Sequence, residues 1–281
     1  MDSLPYSDHV SEAPLDLDPR IRRFRCGDEV DTFVVVTERW LVIVDTLSTP
    51  ALALQLAEQC VGPADAARLL VVNTHADYDH AWGNQIFSGP DAPYPAPIIG
   101  HVRCAERLAA DEGPLSRAKM EELQPGRFDE LVLTPPNLTV GDGGLTIDGG
   151  DLTLTLVHTP GHTDDHFSIW IPELRIVLAG DAAEQPFPHI DTPAGIARAR
   201  ASLVRLQEFD PLHVLPCHGD TTDPVLLEHN IAYLDAVVAD PALPLAEAAR
   251  IAGVGVDDLD PLYHEFHADV LAASAQLPVR R

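Results

Sequence analysis

The sequence predicts an α/β fold arranged as a four-layer αββα sandwich, with helices outside two sheets. Two observations support this. Short β-branched or apolar runs of strand length are interleaved with longer segments of helical character. Their order also repeats in outline, β-rich and then mixed β/α in each half, although no tandem repeat is present.

DTFVVVTERWLVIVDT (31–46) holds two β-branched runs around Glu38-Arg39 and reads as a two-stranded hairpin. ALALQLAEQC (51–60) consists of good helix formers and is closed by Gly62-Pro63. RLLVVNT (68–74) suits a buried strand, PIIG (97–100) a short one, and HVRCAERLAADE (101–112) a helix. Residues 113–137, rich in proline and charge, read as a loop with a short helix, a candidate lid. GDGGLTIDGGDLTLTLVHTPGH (141–162) combines glycine turns with strand alternation. HFSIWI (166–171) and RIVLAGD (175–181) form the next strand pair, PAGIARARASLVRLQEF (193–209) an amphipathic helix, and HVLPCHGD (213–220) a strand. Helices follow at 225–238, 244–253 and 257–276. The chain is read as one domain over 1–281, with 241–281 a C-terminal helical extension; exposed apolar faces of the last two helices could pair protomers, and the sequence leaves the oligomeric state open.

Composition narrows the function. Of 281 residues 46% are hydrophobic, enough for a sizeable core. Acidic residues number 44 against 18 basic ones, a formal charge of −26, which repels nucleic acid and anionic lipid. Lys119 is the sole lysine, so the expected partner is a small-molecule substrate, with no nucleic acid and no membrane. No apolar run approaches a membrane span. The acidic opening MDSLPYSDHV lacks the apolar core of a signal peptide. Cys26, Cys60, Cys104 and Cys217 show no CxxC spacing and read as reduced thiols in a cytoplasmic protein.

The chemistry concentrates in NTHADYDHAWGN (73–84), which places two histidines and two aspartates between 75 and 80. Imidazole nitrogen and carboxylate oxygen are metal donors. His75, His162, Asp181 and His218 each follow a predicted strand, where sites of layered β/α folds gather. GDGG (141–144) lacks the lysine and the strand–loop–helix context of a phosphate loop. Cys217 and His218 are adjacent on a strand and point to opposite faces, which argues against a nucleophilic pair.

THADYDH (74–80), TPGH (159–162), LAGD (178–181) and PCHG (216–219) together resemble the metallo-β-lactamase superfamily, whose pattern is HxHxDH, a His after Pro-Gly, an Asp after Gly and a late His. The match spans roughly residues 30–220 in the right order, and Asp45 in VIVDT matches the family's structural aspartate. The resemblance implies two divalent ions, with zinc the first expectation and iron or manganese open. His75, Asp77 and His162 would hold one ion, Asp79, His80 and His218 the second, and Asp181 would bridge. It implies a dinuclear-site hydroxide attacking an ester, thioester, lactone or lactam, with Asp79 as the catalytic carboxylate that orients the nucleophile. The alternative is an iron-dependent oxidoreductase, a di-iron or mononuclear oxygenase or sulfur dioxygenase, on the same scaffold.

The departure is Asp77, where the family pattern has histidine. A carboxylate there makes the centre less positive and its water less acidic. Two histidines and one carboxylate suit both hydrolytic zinc and ferrous iron. Asp77 also reads, alternatively, as an acceptor that orients a ligating histidine. Asp45, His101, His158 and His166 are read as supporting or packing residues, Phe187 and His189 as candidate substrate contacts or, alternatively, as parts of a proline-rich loop on a packed surface, and Trp82 as core.

Overall fold

Seven strands lie side by side in chain order: β1 (Ser11–Ala13), β2 (Ile21–Cys26), β3 (Val30–Val36), β4 (Leu41–Val44), β5 (Leu69–Val72), β6 (Ile98–His101) and β7 (Leu138–Val140). The first four pair antiparallel and the last three join in parallel. The computed structural model describes residues 6–89, 91–112 and 116–278 of the chain. By contacts the described residues divide into two compact units, one up to Leu156 and a second from Val157 onward.

In the first unit the chemistry of the strands follows their burial. LVIV of β4 and LLVV of β5 are buried throughout, as parallel strands covered on both faces require. Parallel neighbours need crossovers, and these are helical. Helix α1 (Pro50–Cys60) links β4 to β5; Thr49 caps it, its side chain accepting the Leu52 N–H at 3.2 Å, and Pro50 supplies a preset φ. The one-turn helix α2 (Tyr78–Ala81) lies between β5 and β6. Helices α3 (Val102–Ala110) and α4 (Arg117–Leu123) lie between β6 and β7. The lid candidate at 113–137 contains α4, while residues 113–115 lie outside the described residues. The hairpin β8 (Leu145–Asp148) and β9 (Thr153–His158) follows, and the division between units falls within β9.

Sequence periodicity does not reveal β1 and β2. The segment IRRFRC of β2 is too basic to read as a strand, yet its arginines are neutralised on the spot. Arg22 pairs with Glu12 at 2.7 Å and Arg25 with Asp31 at 2.8 Å, leaving Ile21, Phe24 and Cys26 for the core.

The second unit starts at the end of β9. Strands β10 (Phe167–Ile171) and β11 (Ile176–Gly180) pair antiparallel, and α5 (Pro193–Gln207) crosses over to β12 (His213–Pro216), which joins β11 in parallel. Helices α6 (Val225–Ala239), α7 (Leu245–Ile251) and α8 (Pro261–Ser274) complete it. Their core joins Phe187, Leu203, Leu206, Val214, Tyr233 and Val237 with Ala248 of α7 and Val270 and Ala273 of α8. The apolar residues Ala248, Val270 and Ala273 of the last two helices are therefore turned inward, where the sequence reading expects exposed apolar faces. They pack there with buried residues of α5 and α6, among them Leu203, Leu206, Tyr233 and Val237. Among the described residues no helix is long and apolar enough to cross a membrane.

Phe187 stacks on Tyr233, with ring centroids 4.5 Å apart, and is fully buried. Phe187→Ala is expected to destabilise the protein by about 3–5 kcal/mol, the usual cost of deleting a buried ring. A chemical denaturation midpoint checks this.

Candidate metal centre

The twelve residues of NTHADYDHAWGN form a closed loop. Its two ends clasp each other: Asn73 donates to the Asn84 side-chain oxygen at 3.0 Å and Asn84 returns the bond at 2.8 Å. Near its far end Gly83 lies against the Thr46 carbonyl and Ala53 of α1, where an added Cβ would come within 2.0 Å of that carbonyl oxygen. Trp82 fills the core against Tyr78 and Phe128.

Inside this loop Asp45 sets the orientation of both histidines. It is buried at the end of β4 with φ +68°, a conformation Asp tolerates. One oxygen accepts the Thr74 N–H at 2.7 Å. The other accepts the Thr74 hydroxyl at 2.7 Å and His80 Nδ1 at 2.9 Å. The Thr74 hydroxyl, having given its proton to Asp45, accepts from His75 Nδ1 at 3.0 Å. Both rings thus carry their proton on Nδ1, which makes Nε2 the electron-pair donor. Asp77 is extended (φ −63°, ψ 157°) at the entry to α2, which presents Asp79 and His80 from adjacent positions.

His75 Nε2 lies 3.5 Å from Asp77 Oδ2, and His80 Nε2 lies 3.6 Å from Asp79 Oδ2. The second unit repeats this spacing. Asp181, just past β11, has Oδ2 3.6 Å from His162 Nε2 and 3.4 Å from His218 Nε2. All four separations exceed a good hydrogen bond of roughly 2.7–3.2 Å. They match the edge of a tetrahedron, about 3.4 Å, between two donors each held about 2.1 Å from one ion. The donors are imidazole nitrogen and carboxylate oxygen, a set that fits zinc, iron or manganese.

The second unit orients its candidate donors in a similar way. His162 Nδ1 donates to the His189 carbonyl at 2.9 Å, so its Nε2 faces Asp181. Gly161 lets the TPGH turn approach α5; an added Cβ would lie 2.4 Å from the Ala199 Cα. His166 Nε2 accepts the Asp181 N–H at 3.0 Å, and Thr159 and Ser168 continue its hydrogen bonds to the Ala179 carbonyl. Glu184 is buried and accepts the His189 N–H at 3.1 Å; burial, then the Asp181 charge, pushes its carboxyl above the usual range. Burial, then His162, lowers the basicity of His189.

A model of the metallo-β-lactamase superfamily matches residues 27–218, more than half of the chain. The chain belongs to the metallo-β-lactamase superfamily. It is 31% identical over 85 residues to the β-lactamase-like protein 2 homolog of Caenorhabditis elegans, a match covering 30% of this chain and 28% of that protein's length. Among solved structures, a metallo-β-lactamase from Pontibacter korlensis superposes with a TM-score of 0.60 at 17% identity, covering 81% of this chain and 99% of its own. The FIM-1 metallo-β-lactamase of Pseudomonas aeruginosa, in its mono-zinc form, superposes with 0.59 at 15% identity, covering 83% and 98%. These likenesses establish the αββα sandwich fold class expected from the sequence.

The superfamily motif also makes the remaining histidines intelligible. His101 caps α3, its Nδ1 accepting the Arg103 N–H at 3.1 Å. His158 hydrogen-bonds to the Asp164 carbonyl at 3.0 Å. Phe187 is core, so it is no substrate contact; the reason is its stack on Tyr233. His189 serves through its backbone carbonyl, while its ring stacks on Phe266 of α8 at 4.2 Å. Sequence reasoning misses Thr74, Glu184 and Arg107. Thr74 is legible in hindsight from its place beside His75. Arg107 lies thirty positions from its partner Asp77 and gives no local signal.

Thr74→Val removes the hydroxyl between Asp45 and His75 and strands two buried polar groups. The expected cost is about 1–3 kcal/mol in metal-free protein, with Thr74→Ser close to wild type. Urea denaturation of the two variants checks this.

Proposed function

We propose that the chain is a metal-dependent hydrolase of small carbonyl substrates: esters, thioesters, lactones or lactams. In this reading His75, Asp77, Asp79, His80, His162, Asp181 and His218 are metal donors, as the superfamily pattern implies, with zinc the first expectation. The observation that carries it is the set of four nitrogen–oxygen spacings of 3.4–3.6 Å, too long for hydrogen bonds and suited to donors sharing an ion.

When bound, the cations supply Lewis acidity that acidifies water and polarises a carbonyl. The protein's own groups do the rest. Asp45, through Thr74 and His80, holds both imidazoles with Nε2 as donor. The His189 carbonyl does the same for His162. Asp79 orients the attacking water, takes its proton and returns it to the leaving group. A surface of charge −26 argues against a polyanionic substrate and favours a neutral or cationic one.

Elemental analysis of protein purified without added metal is expected to find zinc, and chelation to abolish hydrolysis of an ester, thioester, lactone and lactam panel until zinc is restored. Asp79→Asn is expected to lower kcat by about 10²–10⁴. Bound iron with substrate-dependent oxygen uptake, and no hydrolysis, overturns the reading.

Asp45→Asn is expected to weaken zinc binding about 10–100-fold, the usual effect of removing a partner that orients a ligand. Competition against a chromophoric chelator measures it.

A further inference from the structure

The side chain of Arg107 donates through Nη2 to Oδ1 of Asp77, while Oδ2 of the same carboxylate faces His75 Nε2 at 3.5 Å. We propose that Arg107 and Asp77 act as one unit: the guanidinium restricts Asp77 to a single ligating oxygen and returns the positive charge that a carboxylate removes from the centre. The proposal rests on the hydrolase reading above, in which Asp77 is a metal ligand.

Three features support it. First, Asp77 is 6% exposed, so its charge needs a partner, whereas surface ion pairs contribute little. Second, the pair is placed by the fold. Arg107 sits on α3, which leaves β6 directly, and β6 lies parallel to β5, which leads into the metal motif. His101, at the turn from β6 into α3, fixes the start of the helix through the Arg103 N–H. The helix therefore brings the guanidinium to the motif from the neighbouring strand. Third, the charges balance. Asp77 adds one negative charge where an imidazole adds none, and Arg107 supplies one positive charge beside it. With Oδ1 engaged, Asp77 is kept from closing on the ion through both oxygens. A short Asp needs such fixing, since its one methylene leaves little reach.

Arg107 is thus a positioning residue, acting on the metal through Asp77. It is 39% exposed, so its replacement is not a core deletion. The test is zinc affinity by chelator competition for wild type, Arg107→Met, Asp77→His and the double variant, with thermal unfolding of each metal-free protein. Arg107→Met is expected to weaken zinc binding about tenfold or more in the Asp77 background. In the Asp77→His background the same change is expected to strengthen it about threefold or more, because an arginine with no carboxylate then repels the cation. Arg107→Lys, which keeps the charge without the planar fork, is expected to fall between wild type and Arg107→Met. This reversal of sign is not produced by a merely structural arginine, which would lower affinity in both backgrounds. Equal sign in both backgrounds, or no effect in either, overturns the proposal while leaving the hydrolase reading intact. A wild-type chain that binds no divalent metal overturns both. Should Arg107→Met fail to fold, Arg107→Gln in the two backgrounds decides the same question.

Discussion

The centre depends on one buried carboxylate. Asp45 lies at a strand end with a left-handed backbone, and burial there is tolerable because its oxygens accept three hydrogen bonds. Those bonds do more than satisfy it. They fix which nitrogen of His80 is protonated and, by relay through the Thr74 hydroxyl, which nitrogen of His75. A metal centre needs its donors preset in tautomer and direction, since an imidazole free to rotate binds weakly.

The second unit reaches the same end with different groups. A backbone carbonyl, that of His189, takes the Nδ1 proton of His162. An imidazole, His166, holds the backbone of Asp181. His189 is in turn held by Glu184 and by stacking on Phe266. Helix α8, beyond the segment matched by the family model, thus supports the loop that aims a ligand. Among the described residues the C-terminal helices thus reach this loop through packing, by the stack of Phe266 on His189.

Negative charge is the recurring cost of the design, and cations positioned locally offset it. Arg22 and Arg25 let a basic segment serve as a strand by pairing with Glu12 and Asp31. Arg127 neutralises the buried Glu29 at 2.6 Å, close to the Tyr78–Asp79 part of the motif. Arg107 does so for Asp77. With so few basic residues in the chain, each pairing shapes where the acidic surface permits a buried anion.

The sequence alone determined the order of strands and helices from β3 onward, except for the short β7 and the one-turn α2, because burial on one or both faces leaves a readable period in LVIV, LLVV and IVLAG. It also pointed to the superfamily, because four motifs at strand ends coincide with one family pattern. It did not reveal β2, whose arginines disguise it, or the inward turn of α7 and α8, since an apolar helix face reads alike whether it meets solvent, a partner or its own core. Tertiary structure alone decided the partners. Asp45 to Thr74 and His80, and Arg107 to Asp77, are set by which side chains the strand ends and helices bring within hydrogen-bond reach, and that distance is not encoded in spacing along the chain.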